Sequence, residues 1–150
     1  YVSRLSVSDV GAQFAAFATT GKIRRPLITV AGTMDALLPI DHHARAYARR
    51  VAAASKQKRD DDDDRDDRHR DDDRPAYRLY EIQNGNHIET FQVAFPQLEL
   101  IEPHAQRAFD LLVNQVEHNV PLPPDQCVPR GGSIAGSPAQ AGHCASLFAP

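Results

Sequence analysis

Hydrophobic and polar positions repeat with different periods along this chain, and each period marks an element. In residues 10–19, Phe14 and Phe17 stand three apart, which suits one face of a short helix ending near Gly21. Pro26-Leu27-Ile28-Thr29-Val30-Ala31 is a nearly continuous apolar run between Arg24-Arg25 and Gly32, as expected of a strand buried on both faces in a parallel sheet. Gly32-Thr33-Met34-Asp35 is then the loop at its carboxyl end. Asp41 is placed to cap a helix from His42 to about Ala54, with Ala44, Tyr47, Ala48 and Val51 on one side. Tyr77–Ile82 alternates apolar and polar residues, as a strand near a sheet edge would, and stops at Asn84-Gly85-Asn86. Pro103–Val120 brings Ala105, Ala108, Phe109, Leu112, Val113 and Val116 onto one stripe of a helix that starts at a favoured proline and should pack on the sheet. Strand, loop and helix in this order is the α/β pattern.

Two stretches break the periodicity. Residues 59–74 hold ten of the twenty acidic and five of the seventeen basic residues; such a low-complexity insertion has no apolar area to bury and is expected to stay solvated and disordered. The remainder carries twelve basic against ten acidic residues, with no basic stripe for nucleic-acid phosphates. From Pro121 onward, Pro123, Pro124, Pro129 and Gly131-Gly132 argue against regular structure, and residues 133–150 read as an irregular, disordered tail. Cys127 and Cys144 lie in that region; in an oxidising compartment a disulfide between them would contribute about 3 kcal/mol and tie down the end. No apolar run approaches the ~20 residues of a membrane helix, so no membrane span is expected. The chain opens Tyr1-Val2-Ser3 with no initiator Met, as expected of a piece of a longer product or of a chain after processing.

Asp35 and His87 both fall in loops just after expected strands, where open α/β sheets bind their ligands. An imidazole that takes a serine proton needs a carboxylate on its other nitrogen to fix the tautomer and stabilise the imidazolium. Acid before histidine is the chain order of one serine-hydrolase class. Singly, these residues read as a turn aspartate and a loop histidine; together, in this succession of elements, they read as triad acid and base. Asp41, His42 and His43 are read as a solvated first turn, His104 and His118 as solvent-facing, and Glu89 as solvated. The Asp-rich run invites a calcium reading, but the interspersed Arg65, Arg68, Arg70 and Arg74 argue against it, and neither zinc nor a cofactor is expected.

Gly32-Thr33-Met34-Asp35-Ala36-Leu37-Leu38-Pro39 resembles the acid loop of α/β-hydrolase serine esterases, and Asn84-Gly85-Asn86-His87 resembles their histidine loop. Leu122-Pro123-Pro124-Asp125-Gln126 and Pro129-Arg130-Gly131-Gly132 are similar to the late segment of the D-3-hydroxybutyrate oligomer hydrolases, a resemblance running from about Ile23 to Gly132. It implies that residues 1–132 form the C-terminal portion of an α/β-hydrolase fold, carrying Asp35 and His87 and meeting the upstream remainder of the domain. It further implies a secreted or periplasmic carboxylesterase acting on short hydroxyalkanoate esters; by position alone, the loops around Leu37, Leu38 and Phe91 are expected to line an acyl pocket. The departure is the nucleophile. No G-x-S-x-G occurs, and Ser133 in Gly131-Gly132-Ser133 comes after the histidine with no expected strand before it, so the chain alone is expected to be inactive. The competing expectation is a hydrolase-like binding or structural module without catalysis.

Overall fold

The computed structural model describes residues 9–62 and 76–150, with only the backbone of 58–62. Its elements in chain order are α1 (Val10–Phe17), β1 (Leu27–Gly32), α2 (Ala44–Asp62), β2 (Tyr77–Ile82) and β3 (Gly85–Asn86). A 3₁₀ turn (Glu89–Val93), β4 (Glu99–Leu100), α3 (Glu102–His118), β5 (Gln126–Val128) and β6 (Gln140–Ala141) follow. β1, β2 and β5 run parallel, β6 closes the sheet antiparallel to β5, and β3 pairs with β4 in a two-stranded ribbon. The β1 and β2 bounds match the apolar runs of the sequence to within a residue. Residues 63–74 of the expected insertion lie outside the described residues; α2 runs to Asp62, past Ala54, where it was expected to end.

Alternation along β2 puts two different layers on the sheet. Tyr80 and Ile82 join Val128 of β5 and Ala108 and Leu111 of α3 in one buried cluster, with Ile28 and Val30 packed against it. Leu79 faces the other way, with Ile40 and Ala44 at the start of α2 and with Ala31, Ala48 and Tyr77 around them. Helices therefore cover both faces of a mainly parallel sheet, the arrangement that buries such strands.

The two main strands exchange their expected positions. The run over β1, expected to be doubly buried, is half-exposed for five of its six residues and pairs only with β2 among the described residues. β2, expected near an edge, lies between β1 and β5 and is fully enclosed over its last four residues. The cause is β5. Gln126–Val128 is a strand, fully buried, in the region expected to lack regular structure. Tail residues Leu122 and Ile134 also enter the core.

Residues 143–150 are irregular in backbone but tied down throughout. Cys127 and Cys144 form the expected disulfide, with Cα atoms 4.7 Å apart. Gln83 Nε2 donates to the Ser146 carbonyl at 3.0 Å, and Thr33 Oγ1 donates to that of Leu147. Asn84 is fully buried in the left-handed region (φ 61°), which asparagine tolerates. Its Oδ1 accepts from Ala149 N–H at 2.7 Å while its Nδ2 donates to the Ala149 carbonyl at 2.5 Å.

Two helices present faces other than those read from the apolar pattern. On α3 the buried positions are His104, Ala108 and Leu111, whereas Phe109 and Val116 are exposed. His104, expected to face solvent, is buried with Nε2 3.4 Å from Glu99 Oε1; His118 is exposed as expected. Nothing on α1 is buried, Phe14 and Phe17 included. No helix of the described residues is long and apolar enough to cross a membrane.

Candidate active site

β1 and β2 deliver their following loops side by side, and glycines let those loops touch. A Cβ on Gly32 would collide with the Gly85 carbonyl, so the approach requires its absence. The loops are then stitched through the backbone, with Met34 N–H donating to Gly85 O at 3.0 Å and Thr33 N–H to Ile82 O at 3.0 Å.

This places the two expected residues in direct contact. Asp35 Oδ2 lies 2.5 Å from His87 Nδ1, and Asp35 Oδ1 accepts the Leu37 and Leu38 amides at 2.9 and 2.8 Å. The Asp35 side chain is almost covered (7% exposed) while the imidazole is open (39%). Burial raises the Asp35 pKa, but the Leu38 amide, His87 and the Leu37 amide outweigh it and hold the carboxyl below its ordinary value. An ionised carboxylate only accepts, so Nδ1 carries the proton and Nε2 is left as the basic nitrogen. Nε2 has no hydrogen-bond partner among the described residues. The pair has the chemistry of an oriented general base.

A cleft of about 640 Å³ opens beside it, bordered by Val30, Leu38, His42, Tyr47 and Ile101 as well as the pair itself. Of the residues expected near an acyl group, Leu38 lines this cleft; Leu37 and Phe91 are exposed and do not. His42 and His43 are exposed, as read, yet also border the cleft. Asp41 caps no amide; it accepts from Arg45 Nη1 at 3.2 Å. Glu89, expected to be solvated, accepts the Glu102 N–H at 2.9 Å at the start of α3, where a carboxylate also suits the helix dipole. Ser133 is exposed beyond β5, and no serine, threonine or cysteine among the described residues is hydrogen-bonded to His87. No group of three His, Cys, Asp or Glu among the described residues is arranged to hold a metal.

A second carboxylate and histidine meet at the end of β2. Glu81, fully buried, accepts from Arg45 Nε at 2.7 Å and Nη2 at 2.6 Å, and its Oε1 lies 2.6 Å from His143 Nδ1. The Cys144 N–H donates to its Oε2 at 2.7 Å. Burial raises the Glu81 pKa, yet Arg45, the Cys144 amide and His143 together hold it below the ordinary value. The sequence reading missed this group, as it missed Asn84 and Asn86. The signal available was the polar residue at the enclosed end of an apolar strand, with an arginine on the following face of α2.

The sequence model of the 3HB-oligomer hydrolase family matches residues 4–147. A D-(-)-3-hydroxybutyrate oligomer hydrolase of Burkholderia thailandensis is 28% identical over 123 residues, covering 77% of this chain and 15% of that protein. The Burkholderia vietnamiensis protein of the same name is 30% identical over 121 residues with the same coverage, 77% and 15%. No solved structure matches the chain significantly. The chain thus spans about 15% of the length of these relatives. With most of its residues matched by the family model, the chain belongs to the 3HB-oligomer hydrolase family.

Proposed function

We propose that this chain supplies the acid and the base of a Ser-His-Asp triad in a carboxylic-ester hydrolase of α/β-hydrolase fold, acting on short oligomers of 3-hydroxybutyrate. The observation that carries the reading is the contact of Asp35 with His87 Nδ1 at 2.5 Å in loops at the carboxyl ends of adjacent parallel strands. The relatives' printed names supply the substrate class, and their greater length leaves room for the nucleophile outside residues 1–150.

In this reading a serine N-terminal to the chain attacks the ester carbonyl and its proton passes to His87 Nε2. The imidazolium, steadied by Asp35, returns that proton to the departing hydroxyl of the 3-hydroxybutyrate unit, leaving an acyl-enzyme. Water, deprotonated by the same nitrogen, then attacks the acyl-enzyme, releasing the acid and restoring the serine. The oxyanion is held by donors outside this chain. No cofactor enters, and residues 1–150 alone are inactive. The disulfide supports a secreted or periplasmic site of action, where such bonds persist.

The test is labelling by a fluorophosphonate serine probe of the polypeptide that carries this chain at its full native length. Labelling that disappears in His87→Ala is expected. Undiminished labelling in that variant, or none in the native protein, contradicts the reading and favours a non-catalytic module.

A further inference from the structure

Asn86 lies next to His87 in sequence and is buried, with 6% exposure. Its Nδ2 donates to the Met34 carbonyl at 3.1 Å, and its Oδ1 accepts the Ile88 N–H at 3.0 Å. One rigid carboxamide thus joins the residue before Asp35 to the residue after His87. The two bonds differ in kind. The bond to Ile88 is a local turn that asparagine makes with its own chain, and it sets the direction in which the backbone presents His87. The bond to Met34 reaches across to the other loop, alongside the backbone bond from Met34 N–H to Gly85 O. The backbone at this position is separately held by the pairing of β3 with β4, Asn86 opposite Leu100, so the side chain is not needed to form the ribbon.

We infer that Asn86 is a positioning residue whose side-chain amide fixes the separation and angle of Asp35 and His87; the inference rests on the reading of these two as triad acid and base. Asn86 does not border the cleft beside the pair. It acts by keeping the imidazole in the orientation from which Nε2 accepts the serine proton, and misplacement of a catalytic group by about 1 Å costs on the order of 100-fold in rate.

Two substitutions separate this role from a general structural one. Asn86→Ala removes both bonds. Asn86→Asp has the same shape and still accepts from Ile88, but it cannot donate to Met34 and sets a carboxylate against that carbonyl. In the polypeptide at full native length, with a 3-hydroxybutyrate oligomer as substrate, both variants are expected to lose kcat by roughly 10- to 100-fold. KM should stay within about threefold, since the lost interaction orients catalytic groups rather than holding substrate; the thermal midpoint of Asn86→Ala should stay within a few degrees of the parent, and Asn86→Asp, which buries a carboxylate, is compared per folded molecule. Parental kcat in Asn86→Asp overturns the inference, as does a loss of activity that merely follows a loss of folded protein. His87→Ala is run beside them. If it is inactive while both Asn86 variants turn over normally, only the role of Asn86 falls; if His87→Ala itself retains activity, the triad reading falls and this inference with it.

Discussion

Two carboxylate–histidine pairs sit at the ends of neighbouring strands, and the partner that separates them most is an arginine. Asp35 accepts two backbone amides and Glu81 one, each approaches a histidine Nδ1 at 2.5 or 2.6 Å, and each is held below its ordinary pKa. Glu81 in addition receives a two-pronged guanidinium from Arg45, so its charge is answered within the fold and His143 is a peripheral addition. Asp35 has no Lys or Arg partner among the described residues, and the group that answers its charge is His87. An arginine thus makes the one pair a structural knot, and where none is present the carboxylate is left to orient an imidazole through its Nδ1. A catalytic base needs that second condition.

The largest effect that breaks the comparison is on turnover. His87→Ala is expected to lower kcat by about 10⁵-fold or more and Asp35→Asn by about 10⁴-fold, measured on ester hydrolysis by the polypeptide at full native length. Next in size is stability. Arg45→Ala leaves Glu81 buried without its cation and should cost about 3–5 kcal/mol in denaturant unfolding, with turnover per folded molecule unchanged. Reducing the disulfide between Cys127 and Cys144 should cost about 3 kcal/mol by the same measurement. Smaller still is the pH dependence. The folded pKa of Glu81 is depressed, so its stabilisation is present above the ordinary glutamate range and is lost as pH falls through the lower folded value. The thermal midpoint should therefore be level near neutrality and fall below about pH 4, and Glu81→Gln should make that acid limb shallower.

The site was more legible in the sequence than the sheet around it. Asp35 and His87 follow short apolar runs whose ends are punctuated by glycine, so local pattern alone places both at strand ends. Which strand lies inside the sheet depends on β5, and Gln126-Cys127-Val128, flanked by Pro124 and Pro129, is too short to carry a period. It is a strand because β2 offers it a partner, which is a long-range fact. Missing it left β2 at the edge of the expected sheet. Glu81 was hidden for a related reason: a charged residue in an alternating strand reads as solvent-facing until the arginine that covers it is known. On α3 an apolar count favoured Phe109 and Val116, whereas the buried stripe includes His104, which Glu99 accompanies from β4. Polar residues that go inside in pairs are invisible to a hydrophobic period.

The most direct measurement compares kcat/KM for His87→Ala and His143→Ala in the polypeptide at full native length. The account predicts a loss of about 10⁵-fold or more for the first and a change within about threefold for the second, whose carboxylate keeps its arginine. Equal effects of the two substitutions, whether both small or both large, would contradict it.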